Sequence, residues 1–322
     1  MKRRLFRVCR NLPSSGRNKK RMTTALVTLL VLVCVVCGVT GCMGREEGLE
    51  DVVISDTSEE SYGVFLGIDR KTFDISLFEN YKQVVVDAQE LSRDQLARLH
   101  ENGHVVYSYL NVGSIENTRD YFGDYEDICL DSYDNWPDEY WVDVTQQKWK
   151  EFVGDTLVKT IRDKDPIIDG LFLDNLDVYY HVQDTKKYRS MKEDVFDALV
   201  SILETYQSAG LPVLINGADV FVSQMIEEGL EDLVPGVNQE TVFSSIRDYD
   251  KDKFGEQPKS ENKYYTEYLA DCEEAGIDVY LLEYTRDRTV KAKICKFCRE
   301  NGYRFFISEY VNLDFGVHKQ GR

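Results

Sequence analysis

Histidine is scarce in this chain of 322 residues: His100, His104, His181 and His318 are all it has. None stands at metal-ligand spacing from another ligand, and His100 and His104 flank a helix end where a solvated imidazole is ordinary. There is no GxSxG nucleophile elbow, no GxxxxGK[ST] phosphate loop and no HExxH pair. Serine-triad hydrolysis, nucleotide chemistry and zinc hydrolysis therefore lose their sequence basis, and no metal or organic cofactor is expected. Cysteine is sparse where it would matter. Cys9, Cys34 and Cys37 precede residue 42, and only Cys129, Cys272, Cys295 and Cys298 lie in the body of the chain. Cys295 and Cys298 form a lone CxxC in a helical pattern, without the second pair a structural zinc needs, and are expected as small half-buried residues of one helix face.

Long apolar runs are equally rare. The one that exists, Ala25 to Val39, follows nine basic residues and leads into Val39-Thr40-Gly41-Cys42. A basic segment, an apolar stretch and small residues before a cysteine resemble a bacterial lipobox, so residues 1–41 read as a lipoprotein signal peptide and Cys42 as the lipidated residue. An uncleaved membrane helix is the weaker alternative, because the run is marginally short for a span. Either way the rest of the chain is expected on the extracytoplasmic side of the membrane, in the cell envelope. Positive charge is what remains in short supply. The signal holds nine of 39 basic residues and none of 57 acids, leaving 30 against 57, a formal charge of −27. A polyanion would be repelled, which excludes nucleic acid, whereas a cationic polymer of amino sugars would suit.

Residues 42–61 form an acidic, serine-containing spacer, and residues 62–313 continue without a second linker, leaving 314–322 as a polar tail. About 250 residues in one block is the usual size of a single (β/α)8 barrel. Apolar runs ending in a carboxylate or amide recur eight times: at Asp69, Asp87, Asn111, Asp174, Asn216, Glu240, Glu283 and Glu309. Buried parallel strands should be apolar throughout, so polar residues at their C-terminal ends ask for a reason. In a closed barrel those ends surround one mouth, where chemistry is placed. Between the strands stand helical patterns closed by glycine, at Gly103, Gly210, Gly276 and Gly302, with a capping box at Ser92 and Gln95. An open doubly wound sheet would show the same alternation but gathers its polar ends at one switch point, so the α/β barrel is preferred. The long interval from Val112 to Thr145 is acidic and aromatic, with Trp136 and Trp141, and reads as a functional loop carrying a short strand near Trp141 to Val144.

Carboxylates are the chemistry left. Cleavage of a glycosidic bond needs one acid to protonate the leaving oxygen and another to act as nucleophile or to activate water. Asp174, in Gly170-Leu171-Phe172-Leu173-Asp174-Asn175-Leu176-Asp177, and Glu240, in Asn238-Gln239-Glu240, are the expected pair, with Asp177 equally readable as a helix cap. Asp69, Glu283 and Glu309 suit hydroxyl or ammonium binding, and Asp87 a structural role. These segments, together with Tyr107-Ser108-Tyr109-Leu110-Asn111-Val112-Gly113, resemble glycoside hydrolase family 114 over nearly all of Tyr62 to Tyr310. That family contains endo-α-1,4-polygalactosaminidases on a (β/α)8 barrel. The resemblance implies that Asp174 and Glu240 are catalytic and that Asp69, Asn216 and Glu283 contact sugar. Tyr109, Asn111, Asp177, Glu309, Trp136 and Trp141 complete the expected binding surface. It also implies a polysaccharide of α-1,4-linked galactosamine, partly N-acetylated. Apart from the resemblance, a monomer is expected. The rivals are a non-catalytic, surface-anchored carbohydrate-binding lipoprotein and a barrel hydrolase of another glycan.

Overall fold

The computed structural model describes residues 61–133, 136–164 and 168–317. The signal segment, Cys42 and the spacer up to residue 60 lie outside them, as do Asp134, Asn135 and the end of the tail from His318. Eight parallel strands run in sequential order around a nearly closed barrel: β1 (Tyr62–Val64), β2 (Gln83–Val86), β3 (Val105–Asn111), β4 (Gly170–Asp174), β5 (Val213–Asn216), β6 (Gly236–Glu240), β7 (Asp278–Tyr284) and β8 (Arg304–Ser308). β8 returns to lie beside β1. All of the expected polar residues except Asp69 end their strands or stand within one residue of the end. Asp69 lies five residues past β1, because the chain leaves the barrel at Val64 and turns there.

The period of two along each strand divides the core in two. Tyr62, Val64, Val85, Tyr109, Phe172, Leu214, Tyr280, Leu282, Tyr284 and Phe306 point inward and fill the barrel. Their neighbours, such as Val84, Leu110, Leu171, Leu173, Ile215 and Leu281, point outward against the helices. The sequence pattern places those helices well. Arg93–Glu101 begins at the Ser92–Gln95 capping box, and Gly103, Gly210, Gly276 and Gly302 all take a positive φ just after their helices. Such a turn is strained for any residue with a Cβ. The helix from Gln147 to Lys164 is interrupted by a π-helical stretch at Phe152–Thr156. Cys272, Cys295 and Cys298 are buried thiols, so the CxxC pair lies deeper than the half-buried position expected. The expected boundary at 313 also moves: Phe315 stacks on Phe65 at 5.2 Å and Asp314 is buried, so the packed chain runs on past it.

Two insertions rise from the mouth. After β3, strands Ser114–Glu116, Cys129–Ser132 and Glu139–Val142 form a small antiparallel sheet, so the expected extra strand starts two residues before Trp141. After β6, Ser244–Asp248 and Lys253–Glu256 form a hairpin. The first insertion packs tightly at its root. A Cβ on Gly113 would fall 1.8 Å from the carbonyl oxygen of Asn175, the residue that follows β4. Gly113→Ala must push those backbones apart and should cost about 1–3 kcal/mol, measured by chemical denaturation; an unchanged midpoint would show that the approach is slack.

Candidate active site

The uppermost inward layer of the barrel is polar. Asn111 and Asp174 are cross-strand partners on β3 and β4, and Asn216 and Asn238 on β5 and β6, with Glu240 two residues further along β6. The chain leaves each of the three central strands through left-handed residues: Asn175 (φ 61°) after Asp174, Gly217 (62°) and Ala218 (57°) after Asn216, and Thr241 (54°) after Glu240. A β-branched threonine there is a genuine outlier, and such positions cost about 1–3 kcal/mol each. Each abrupt turn leaves the strand's last side chain standing at the rim.

One amide joins the two expected acids. Asn216 Nδ2 donates to Asp174 Oδ1 at 2.9 Å and to Glu240 Oε1 at 2.8 Å. The two acceptor oxygens are therefore at most 5.7 Å apart, the two legs laid end to end. The orientation of Asn216 is itself set from below. Buried Asn238 donates through Nδ2 to Asn216 Oδ1 at 2.6 Å, and the Tyr62 hydroxyl donates to Asn238 Oδ1 at 3.2 Å. With its oxygen so occupied, Asn216 has both amide hydrogens left for the carboxylates. Asp174 also accepts from the Tyr109 hydroxyl (3.1 Å) and the Asn175 amide (3.0 Å), and Glu240 accepts from the Tyr284 hydroxyl (3.0 Å). Among the described residues neither acid forms an ion pair with lysine or arginine, and both keep some solvent contact. Burial pushes both pKa values up. Glu240 reaches about 7, with the charge of Asp174 adding to the rise, while in Asp174 the three donors pull against burial.

Other expected residues stand elsewhere. Glu283 is fully buried and faces outward from β7; Phe243 N and Ser244 N donate to it at 2.9 Å each, as does the Ser244 hydroxyl, so it braces the hairpin root and does not reach the mouth. Strand alternation is the reason: its neighbour Tyr284 takes the inward position. Asp69 Oδ1 accepts from Lys71 N, Thr72 N and Thr72 Oγ1, closing its own turn. Glu309 pairs with Lys291 at 2.7 Å. Asp177 heads a helix without capping it; its Oδ2 accepts from Ala218 N at 3.1 Å and ties β5's exit turn to β4's. Trp141 is 9% exposed and packed against Tyr133 and His181, which leaves its ring no face for a sugar. Trp136, by contrast, is 42% exposed.

Glu139 was not foreseen. It enters on the inserted sheet, and its Oε1 accepts from Asn111 Nδ2 (2.8 Å), Asn175 Nδ2 (2.9 Å) and the Ser114 hydroxyl. Burial lifts its pKa to about 7. It locks Asn175, and so the backbone amide that Asn175 offers to Asp174. Nor were Tyr62, Asn238 and Tyr284 foreseen as supports, although the inward period of their strands marks where they point. Among the described residues no cluster of His, Cys, Asp and Glu has the geometry to hold a metal ion.

Two carboxyl groups held by one amide at the C-terminal mouth of a (β/α)8 barrel define the class as carbohydrate-cleaving. Residues 69–317 match the profile of glycoside-hydrolase family GH114, and the chain belongs to that family and is a glycoside hydrolase. No curated protein sequence matches it. Among solved structures, the glycoside hydrolase domain of PelA from Pseudomonas aeruginosa is 20% identical, with a TM-score of 0.65 over 79% of this chain and 96% of that one. Ega3 from Aspergillus fumigatus, solved in complex with galactosamine, is 16% identical, with a TM-score of 0.62 over 81% and 94%. At these identities the likeness establishes the barrel fold.

Buried glutamates give stability a pH dependence with a definite sign. The folded pKa values of Glu139 and Glu240, about 7, lie above the ordinary 4.5. Their contribution is fully present below that ordinary value and is lost as pH rises through about 7. Melting temperature should fall between pH 5.5 and 8, and Glu139→Gln should flatten part of the slope. Glu139→Ala, which takes the carboxylate from Asn111 Nδ2 and one of several acceptors from Asn175 Nδ2 and the Ser114 hydroxyl, should cost about 1–3 kcal/mol. A slope unchanged in the glutamine variant would remove Glu139 from this account.

Proposed function

We propose that the chain is a lipid-anchored, extracytoplasmic enzyme that cleaves α-1,4-linked galactosamine or N-acetylgalactosamine polysaccharide by a retaining, two-carboxylate mechanism. The observation that carries the reading is the amide shared by Asp174 and Glu240. Retaining glycosidases hold their carboxyl groups about 5–5.5 Å apart and inverting ones about 6.5–9.5 Å, and the 5.7 Å ceiling on the nearest oxygens favours the first. Glu240, with its pKa near 7, is the group to carry a proton at neutral pH. Asp174, with three donors, is the better stabilised as an anion. Glu240 gives its proton to the glycosidic oxygen while Asp174 Oδ2 or Oδ1 attacks the anomeric carbon from the opposite face; the C–O bond breaks and a glycosyl ester forms. Glu240, now a carboxylate, takes a proton from water, whose oxygen displaces Asp174 and restores both acids.

Galactosamine is favoured by two observations. Ega3, which shares the barrel, was solved with that sugar. The formal charge of −27 after residue 41 also matches a polymer whose free amines are protonated. The anchor rests on the lipobox-like Val39-Thr40-Gly41-Cys42.

Incubation with a partly deacetylated α-1,4-galactosaminan should release reducing ends, and Asp174→Asn should abolish the release. The rate should decline above about pH 7 as Glu240 loses its proton. Glu240→Gln should lower kcat by about 10²–10⁴-fold and remove that alkaline limb. Cleavage confined to a glycan without galactosamine would overturn the substrate, and a rate that climbs through pH 8 would overturn the assigned acid. Cys42→Ser should move the protein from the membrane fraction to the soluble one in fractionated cells; continued sedimentation with membranes would contradict lipidation.

A further inference from the structure

The two insertions meet above the catalytic layer. Trp136 sits in the turn between Cys129–Ser132 and Glu139–Val142, and Tyr249 at the tip of the hairpin after β6. Their ring centroids are 5.8 Å apart at 81°, an edge-to-face contact. β3 and β6 are separated around the barrel by β4 and β5. A contact between their insertions therefore passes over the strand ends that carry Asp174 and Asn216. Burial first, and then the charge of Glu240, hold the Tyr249 hydroxyl above the ordinary tyrosine range.

Both sides of the contact are built, not loosely draped. Tyr133 N donates to Glu139 O at 2.8 Å and Glu139 N to Trp136 O at 3.0 Å, closing the turn directly onto the residue that locks Asn175. Across the mouth, Asp252 accepts from Val311 N at 2.8 Å through Oδ1 and from Arg286 Nη1 at 2.9 Å through its carbonyl. Despite this support the two rings are the exposed large apolar side chains of the described structure, at 42% and 37%. Two large rings exposed in mutual contact offer an apolar surface to a ligand.

We infer that Trp136 and Tyr249 form an aromatic clasp across the mouth that binds one ammonium-bearing hexosamine ring of the polysaccharide beside the scissile bond. The inference rests on the proposed substrate class. An aromatic face accepts the apolar C–H face of a pyranose, and a protonated amine over such a face gains a further cation–π attraction. Acids below and aromatic rings above fit a cationic sugar and disfavour an anionic one. Because the clasp spans the strand ends, a chain reaching Asp174 and Glu240 passes beneath it, which makes the clasp a determinant of how polymers are gripped.

Two arms test this in the full chain. In the first, Trp136→Ala and Tyr249→Ala are assayed on partly deacetylated galactosaminan. The loss should fall on KM, by roughly tenfold, more than on kcat, with circular dichroism and melting temperature unchanged because both rings are exposed; an unaltered KM in both variants overturns the clasp. The second arm does not depend on cleavage. Trp141 and Trp149 are buried, so acrylamide quenches chiefly Trp136. In the Asp174→Asn background, oligosaccharides of galactosamine should shield that emission, and fully N-acetylated ones should shield it less. Shielding by a different glycan with no cleavage of galactosaminan would sink the substrate reading and the ammonium preference while leaving a sugar-binding clasp. No shielding by any glycan overturns the clasp whatever the cleavage assay shows.

Discussion

A single side-chain amide decides what this barrel can do. Asn216 spends its oxygen on Asn238 and divides its two hydrogens between Asp174 and Glu240. Two carboxyl groups so close in a half-buried site repel if both are charged, so one must hold a proton near neutrality. The shared donor fixes their separation, and the difference in their remaining donors fixes which of them gives way. Everything beneath serves that bond: Tyr62 orients Asn238, and the inward period of β5 and β6 lines up the three amide and carboxyl groups in one stack.

The insertions continue the same logic outward. Glu139 comes from the sheet after β3 and locks Asn175; Glu283 comes from β7 and grips the root of the hairpin after β6. Buried carboxylates thus do structural work on both flanks of Asp174 and Glu240. Their cost is visible in pKa values lifted by burial to about 7. The acidity of the chain is consequently of two kinds: solvated charge on the surface, and a few acids buried at the mouth where protonation state and position are coupled.

Much of this was legible from residue order. The recurrence of apolar runs with polar ends gave the strands, and the glycines after the helices gave their stops, because both follow from local geometry. The place of Asp174 and Glu240 at the barrel mouth was legible because each carboxylate ends a buried apolar strand. The misplacements have separate causes. Glu283 ends an apolar run just as Glu240 does, but a shift of one residue turns a strand side chain to the other face, and that parity depends on where the strand starts in the barrel. Asp69 looked like a strand end because the apolar run continues after the chain has left the sheet. Trp141 looked like a sugar platform because exposure cannot be read from type. Glu139 carried no signal at all, since it reaches Asn175 across 36 residues of sequence through a sheet whose pairing the sequence does not announce. The left-handed turns at Asn175, Ala218 and Thr241 were equally hidden, as none of them is glycine.

The separation imposed by Asn216 is the central claim, and the stereochemistry of the first product reads it directly. Proton NMR of the reaction on the proposed α-1,4-linked substrate, recorded before mutarotation, should show the newly formed reducing end in the α configuration, because carboxyl groups this close leave no room for a water on the far face. A first product in the β configuration would require that water, and would contradict the geometry on which this account stands.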